Sequence, residues 1–184
     1  MSYPVPHVYG HIAQLEGFHE TDDRKIQNAL TAFAGECKTQ KFERTFLFDL
    51  SRDFAAQKVR VNRISPDILV GLHRHDYYEF NLVLAGTLYE YIEDQFYSIH
   101  QNEFVLLHPD VFHSIYPPAN CVGFNILVDK IYFADLKKDL CASSPSALLA
   151  AVVEQKHYAI LNVDKNEEIV AAIRSLKQTR QTSS

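Results

Sequence analysis

The stretch "HRHDYYEFNLVLAG", from His73 to Gly86, contains two histidines one residue apart, a glutamate four residues later and an apolar run that ends in glycine. Residues two apart in a strand point to the same face, so His73 and His75 share one face and Arg74 lies on the other. The same alternation places Glu79 on the histidine face. Because imidazole rings need polar partners in an apolar interior, this pattern indicates a shared metal, ligand or water network.

Short strands fill the sequence around this stretch, from about residue 42 to residue 128. Runs such as "VRVNRI", "TLYEYI" and "EFVLLH" alternate apolar and polar residues or are continuously apolar. Many short strands without intervening helices predict an antiparallel sandwich or barrel, and a jelly roll accounts for their number. Turn signals separate the strands at Ser65-Pro66, Gly86, Glu93-Asp94, Gln101-Asn102, Pro109-Asp110 and Pro117-Pro118.

The two flanks of this region are predicted to be mainly helical. Residues 1–41 form an N-terminal arm with an irregular opening and one helix, "TDDRKIQNALTAFAGECK", for which Thr21 is the predicted N-cap. Residues 129–184 form a C-terminal segment with helical patterns over "DKIYFADLKKDL", "PSALLAAVVEQK" and "KNEEIVAAIRSLKQTR". The predicted division is therefore an arm at 1–41, a barrel at 42–128 and a helical segment at 129–184.

Composition restricts the class of protein. With 184 residues, 18 Lys and Arg, 23 Asp and Glu and a net charge of -5, the chain lacks a basic surface for nucleic-acid phosphates. Its three cysteines are widely spaced without a CxxC pair, which favours reduced thiols. No signal peptide is visible, and no apolar run approaches the roughly 20 residues of a membrane span. We therefore predict a cytoplasmic protein that does not contact membranes.

The opening stretch fits the first cupin motif, which reads HxH, three residues, Glu, six residues and Gly. The later stretch "QNEFVLLHPDVFHSIYP" resembles the second cupin motif in the form found in AraC-type transcription regulators. The resemblance covers about Val59 to Val128. It implies a cupin-type double-stranded β-helix that senses a small molecule, with a sugar among the candidates, and that forms a homodimer. It also implies that DNA is contacted through a C-terminal helix-turn-helix part that is absent from this chain.

The candidate ligand-binding residues are His73, His75, Glu79, Tyr89, Tyr91 and His113. Tyr89 and Tyr91 share a face by alternation, and their rings suit either a sugar-like ligand or core packing. Four of the candidates, His73, His75, Glu79 and His113, form a mixed nitrogen and oxygen set that suits zinc, nickel, iron or manganese.

The second motif departs from the form found in metal-dependent cupin enzymes. His113 follows Pro109 one residue earlier than in those enzymes, and Asp67 and Asn102 stand where cupins often have glycine. A change of one residue can turn a strand side chain to the opposite face, so the direction of His113 stays open. Asn102 is a mild change, because asparagine tolerates left-handed turn geometry.

Two functions from different classes follow from these patterns. The leading hypothesis is the effector-binding and dimerisation domain of an AraC-type regulator, which is not an enzyme and has no catalytic residues. The alternative is a stand-alone metal-dependent cupin enzyme, such as a dioxygenase, isomerase or lyase. No P-loop, dinucleotide-binding or nucleophile-elbow motif occurs in the sequence.

Overall fold

The computed structural model describes residues 7–9, 12–16, 18–39, 47–48, 58–143 and 157–163. The elements of the first half of these residues are β1 (His7–Tyr9), β2 (Ile12–Glu16), α1 (Asp23–Thr39), β3 (Leu47–Phe48), β4 (Val59–Arg63), β5 (Ile68–His75) and β6 (Tyr78–Ala85). Those of the second half are β7 (Thr87–Ile92), β8 (Gln95–His100), β9 (Glu103–Leu107), β10 (His113–Tyr116), β11 (Val122–Val128), α2 (Lys130–Ser143) and β12 (Tyr158–Asn162).

The strands form two sheets that face each other. The larger sheet has the order β1-β2-β5-β10-β7-β8, and β3 pairs with β5 in parallel. The smaller sheet has the order β12-β9-β6-β11-β4, and its strands pair antiparallel. Neighbours in the sheets are mostly distant in the chain, as in a jelly roll. The prediction of a mainly β cupin-type barrel is therefore confirmed.

Apolar side chains from both sheets fill part of the space between them. The side chains of this cluster are almost fully withdrawn from water. Its buried members are Ile64, Val83, Leu88, Ile92, Ile99, Val105, Leu107, Val111 and Cys121. His73, His75 and Glu79 also face the space between the two sheets.

A β-bulge interrupts β5 just before its histidines. His73 pairs with His113 of β10, whereas Val70 pairs with Ile115, so three steps along β5 match two steps along β10. The extra residue inverts the alternation of side chains along the strand. The consequence is that β5 has leucines toward the outside and histidines toward the inside.

The two leucines of β5 that face outward are Leu69 and Leu72. They pack with the apolar face of α1, including Ile26 and Leu30, on the outer face of the larger sheet. Helix α1 begins after Asp22, whose side chain accepts a hydrogen bond from the backbone N–H of Lys25 at 3.0 Å. The predicted helix is present.

The N-cap of α1 differs from the prediction. It is Asp22 and not Thr21, because the helix begins one residue later than the sequence pattern indicated. The carboxylate of Asp22 accepts from the backbone N–H of Lys25, the third residue of the helix, as an N-cap side chain does.

Helix α2 lies against the outer face of the smaller sheet. Asp129 caps it by accepting hydrogen bonds from the backbone N–H groups of Ile131 and Tyr132, at 3.1 and 2.9 Å. Phe133 packs on the ring of Tyr78, with centroids 4.1 Å apart. No helix in the described ranges is long and apolar enough to cross a membrane.

The flanking segments contribute strands to both sheets. The irregular backbone predicted for the opening is wrong for residues 7–9 and 12–16, because β2 pairs with β5 and β1 pairs with β2. Near the other end, β12 pairs with β9 at the edge of the smaller sheet. The predicted helices over residues 145–156 and 165–180 lie outside the described residues.

Most of the described residues with left-handed backbone lie at predicted turns. These include Gly86 with a φ of 73°, where a Cβ atom would lie 2.4 Å from the carbonyl oxygen of Asn120. Only glycine fits there without displacing the neighbouring backbone. Among the described residues, the others with left-handed backbone are Asp67, Glu93, Asp94, Asn102 and Asp110. Four of these five are Asp or Asn, which tolerate this conformation, and all but Asp67 lie at predicted turns.

Candidate functional site

Four of the predicted ligand residues meet between the two sheets. His73 and His75 come from β5, His113 from β10 and Glu79 from β6, and all four are buried. His113 lies opposite His73 in the antiparallel pair, with ring centroids 4.1 Å apart. The rings of His75 and His113 are 5.2 Å apart. The structure thus brings together the four residues that the sequence marked as metal candidates.

His113 faces the interior although the loop before it is one residue shorter than in the cupin motif. Strand β10 begins at His113, so the residue is missing from the loop and not from the paired strand. Asp110 turns the loop with a φ of 68°, and its N–H donates to the carbonyl oxygen of His75 at 2.8 Å. Because alternation counts from the first paired residue, the loop length leaves the face of His113 unchanged.

Backbone carbonyl groups fix the orientation of the three imidazole rings. Nδ1 of His73 lies 2.9 Å from the carbonyl oxygen of Gly71, and Nδ1 of His75 lies 2.7 Å from that of Tyr77. Nδ1 of His113 makes a longer contact of 3.5 Å with the carbonyl oxygen of Val111. A carbonyl oxygen only accepts, so each Nδ1 carries the hydrogen and each Nε2 is left for another partner.

The Nε2 atoms of His75 and His113 both lie near the carboxylate of Glu79. Nε2 of His75 lies 3.2 Å from Oε2 of Glu79, and Nε2 of His113 lies 3.7 Å from Oε1. Neither contact has the geometry of a hydrogen bond, and both nitrogens are buried without a hydrogen-bond partner among the described residues. One ligand atom each from His73, Glu79 and His113 lies within 4.8 Å of the other two. A carboxylate at these distances is stabilised when an Nε2 atom carries a proton, and a cation or a ligand between the groups would also stabilise it.

Burial and mutual proximity set the charges of this group. Burial, together with nearby His113, lowers the pKa of His73 to about 3, so its ring is neutral at physiological pH. Burial alone would raise the pKa of Glu79, but the adjacent His113 and His75 side chains outweigh it and hold that pKa well below the ordinary value. Glu79 is therefore an ionised carboxylate in a low-dielectric interior.

A second buried carboxyl group lies behind Glu79, and sequence reasoning missed it. The Nδ2 atom of Asn81 donates to Oε1 of Glu79 and to Oε1 of Glu90, both at 2.9 Å. Its Oδ1 accepts from Nδ2 of Asn125 at 3.0 Å, which fixes the amide. Burial and the negative charge of Glu79 raise the pKa of Glu90 to about 8. The signal in the sequence was the alternation of "TLYEYI", where Glu90 falls between the two tyrosines.

Tyr89 and Tyr91 lie on the opposite face from the histidine cluster. Both are buried in the apolar cluster under α1, and Tyr89 donates a hydrogen bond to Oδ1 of Asp23 at 2.5 Å. The expectation that they line one pocket with His73 is therefore corrected. In β7 the inward positions are Leu88, Glu90 and Ile92, because Glu90 is opposite Ile115 of β10 and Ile92 is opposite His113.

The side chains present suit a divalent transition metal. The imidazoles of His73 and His113 and the carboxylate of Glu79 form a nitrogen and oxygen donor set, and the Nδ1 contacts supply the outer hydrogen bonds that ligating histidines usually have. The buried Nε2 atoms of His75 and His113 lack hydrogen-bond partners in the described part of the chain, which fits such an ion. The same atoms also suit an organic ligand that donates hydrogen bonds.

Comparisons with known proteins identify the family to which this chain belongs. The profile of the family described as AraC-like ligand binding domain matches residues 59–180. A search of the curated proteins gave no match.

Among solved structures, similar chains include cupins and ToxT. A cupin-2 domain containing protein from Shewanella frigidimarina is 22% identical, with 37% of this chain and 66% of that chain covered and a TM-score of 0.32. An apo variant of ToxT from Vibrio cholerae is 16% identical over 64% of this chain and 46% of that chain, with a TM-score of 0.45. Wild-type ToxT with a bound unsaturated fatty acid is 17% identical over 61% and 43%, with a TM-score of 0.43. The match spans about two thirds of the cupin and less than half of ToxT.

Proposed function

Because this chain belongs to the AraC-like ligand binding domain family, we propose that it is the effector-sensing and dimerisation domain of an AraC-type transcription regulator. A small molecule, with a sugar among the candidates, binds in the barrel between the two sheets. The domain acts as a cytoplasmic homodimer and catalyses no reaction. DNA is contacted through a helix-turn-helix part outside this chain.

The observation that carries this proposal is a set of buried polar atoms without partners. Nε2 of His75, Nε2 of His113 and Oε2 of Glu90 are all withdrawn from water, and none has a hydrogen-bond partner within the described ranges. Folded proteins leave few such groups, because each costs about 1 to 3 kcal/mol when unpaired. A ligand that supplies the missing hydrogen bonds accounts for their position between the sheets.

The strands that carry these buried polar atoms also pack against α1 on their outer faces, which supports a regulatory function. His73 on β5, Glu90 on β7 and His113 on β10 face the interior, whereas Tyr89 and Tyr116 of the same sheet face α1. A ligand that separates or draws together these strands changes the surface on which α1 packs. Its differential affinity for the two arrangements would then shift the state of the regulator.

A thermal-shift screen tests the proposal. Metal-free protein is heated with sugars, organic acids, aromatic compounds and an unsaturated fatty acid, and the Tm is compared with that of the Glu79→Gln variant. An effector at 100 times its Kd stabilises the fold by about 2.7 kcal/mol, and the variant should lose that effect. The matched control is Glu36→Gln, an exposed position on α1, which should respond like the wild type.

Two results contradict the sensor function. A compound that stabilises the wild type and the Glu79→Gln variant equally binds elsewhere. If no compound of any class raises the Tm, the barrel does not act as an effector site. Sedimentation of the purified chain tests the homodimer separately, and a monomer at all concentrations would refute it.

The second candidate function is a metal-dependent cupin enzyme, and the convergence of His73, Glu79 and His113 favours it. Those residues, with His75, would hold zinc, nickel, iron or manganese, and a bound ion would act as a Lewis acid or as a binding point for substrate. Elemental analysis of protein purified without chelators tests this function. A stoichiometric metal that is lost in the His73→Ala variant favours it, and metal-free protein with a bound effector contradicts it.

A further inference from the structure

Strand β4 lies at one edge of the smaller sheet, where it pairs with β11 and with no other described strand. The carbonyl oxygen of Lys58 accepts a hydrogen bond from the backbone N–H of Asp129 at 3.0 Å. The backbone N–H of Ile64 donates to the carbonyl oxygen of Gly123 at 3.1 Å. The register between these two bonds is continuous, and residues that bond to the neighbouring strand alternate with residues that do not. The even-numbered residues of β4 therefore bond to β11.

The three odd-numbered residues of β4, Val59, Val61 and Arg63, direct their backbone N–H and C=O groups away from β11 and toward the free edge. Their side chains share the outer face of the sheet, because Val61 lies opposite Ile126, which packs there with Phe133 of α2. Val59 and Val61 are 40% and 43% exposed. The edge thus offers three pairs of backbone donors and acceptors beside exposed valines.

Exposed apolar side chains are concentrated near this edge. Of the six large apolar side chains that are exposed among the described residues, four belong to β4 or to the first turn of α2. They are Val59, Val61, Ile131 and Tyr132. The hydrogen bond between Lys58 and Asp129 holds the start of α2 beside the start of β4. Apolar surface of this kind on a protein often marks a site of contact with another protein.

The charge of β4 restricts what can pair with it. Residues 58–64 include Lys58, Arg60 and Arg63 and no acidic residue. Lys58 and Arg63 form no ion pair with other residues in the described ranges. A second copy paired at this edge would bring three cations from each strand together, which disfavours self-pairing. A strand that carries carboxylates is attracted by the same cations.

We propose that the free edge of β4 binds an extended acidic segment of a partner protein, which adds an antiparallel strand to the smaller sheet. The segment alternates apolar and acidic residues. Its apolar side chains cover Val59 and Val61 on the outer face, and its carboxylates lie on the opposite face with Lys58 and Arg60. This interaction surface is separate from the barrel interior, so it does not depend on the identity of the effector.

Amide hydrogen exchange and NMR titration of the ¹⁵N-labelled full chain test the proposal. In the free chain we expect the amide of Val61 to exchange about tenfold or more faster than that of Asn62, because only Asn62 bonds to β11. The probe is a nine-residue peptide of alternating glutamate and valine with blocked ends. At saturation it should slow the exchange of Val61 by about fivefold or more and leave Asn62 unchanged.

Two altered peptides separate backbone pairing from charge. The first has N-methylated valines, which keep every charge but lose the N–H groups that face β4 in an antiparallel pair, so we expect no protection of Val61. The second has lysine in place of glutamate, and the cations of β4 should repel it. Added salt should weaken the binding of the glutamate peptide, because the charges are exposed.

Three variants test the surface itself. Lys58→Glu combined with Arg63→Glu reverses two charges, so we expect the Kd of the glutamate peptide to rise about tenfold or more. Val61→Pro removes an edge N–H that does not bond to β11, so it should abolish binding without breaking the sheet. Arg24→Glu, at an exposed position on α1, is the matched charge control and should bind like the wild type. If Val61→Pro does not fold, the charge variants and the N-methylated peptide still test the proposal.

Several outcomes would overturn the inference. Protection of Val61 equal to that of Asn62 in the free chain would mean that another segment of the chain covers the edge. Protection that grows with protein concentration would mean that a second copy covers it. Equal binding of the N-methylated or the lysine peptide, or no binding of the glutamate peptide, would also refute it. None of these results bears on effector binding, so the sensing function is tested independently.

Discussion

Replacing Glu90 by glutamine should make the protein more stable at neutral and alkaline pH and leave it unchanged at acidic pH. Below pH 4.5 the carboxyl group is protonated in the folded and the unfolded chain. As the pH rises, the unfolded chain loses this proton near 4.5, whereas the folded chain keeps it to about pH 8, because of burial and Glu79. The stability that the protonated group contributes is therefore lost progressively between pH 4.5 and pH 8.

The size of this effect follows from the two pKa values. Each unit between them corresponds to about 1.4 kcal/mol, so the wild type loses about 5 kcal/mol across the interval and about 3 kcal/mol by pH 7. Glutamine cannot ionise and keeps the hydrogen bond from Asn81, so the Glu90→Gln variant escapes this loss. Its free energy of unfolding should match that of the wild type at pH 4.5 and exceed it by about 3 kcal/mol at pH 7.

Urea unfolding monitored by circular dichroism from pH 4.5 to pH 8.5 provides the measurement. The exposed Glu36→Gln control should follow the wild type at every pH. Parallel profiles for Glu90→Gln and the wild type would show that Glu90 is ionised in the folded chain at neutral pH. That result would refute the raised pKa of Glu90 and, with it, the neutral state of its carboxyl group at pH 7.

Three further predictions concern the framework around the interior. Gly86→Ala should lower the free energy of unfolding by about 3 kcal/mol or more, because the Cβ atom meets the Asn120 carbonyl oxygen at a left-handed position; a loss under 1 kcal/mol in urea unfolding would contradict this. Tyr116→Phe removes the hydrogen bond to the Phe18 carbonyl oxygen at 2.7 Å. We therefore expect the free energy of unfolding to fall by about 1 kcal/mol and the amide hydrogens at the start of α1 to exchange faster. Unchanged amide exchange would contradict this prediction. Burial raises the pKa of the Cys121 thiol to about 11. Mass spectrometry should therefore find Cys121 unalkylated by iodoacetamide at pH 8 until urea unfolds the chain. Rapid labelling of the native protein would show instead that this thiol is accessible.

The sequence was sufficient for the parts of the site that depend on local spacing. The motif around His73, His75 and Glu79 predicted three inward side chains of a cupin barrel, and the structure has all three buried together. The prediction of an AraC-type ligand-binding domain is confirmed by the family profile over residues 59–180. Local spacing works here because strand alternation and turn chemistry are properties of neighbouring residues.

The remaining parts depend on which face of a strand is inward, and local sequence does not specify this. In "TLYEYI" the tyrosines and the glutamate alternate, and an apolar interior favours the tyrosines. The structure buries both sets, because α1 covers Tyr89 and Tyr91 from outside while Glu90 faces Asn81 within the barrel. Only contacts between residues far apart in the chain decide between these two arrangements.

The fold tolerates changes of chain length very differently in two neighbouring places. The loop before His113 has one residue fewer than the cupin motif without altering the face of that histidine. The bulge in β5 lacks this freedom, since deletion of Gly71 or Leu72 would restore strict alternation and exchange the inner and outer surfaces of half the strand. Insertions and deletions among relatives that keep both α1 and the histidine cluster should therefore accumulate in the loop and be excluded from the bulge. The single extra residue of the bulge therefore lets β5 direct its leucines toward α1 on the outside and its histidines toward the interior.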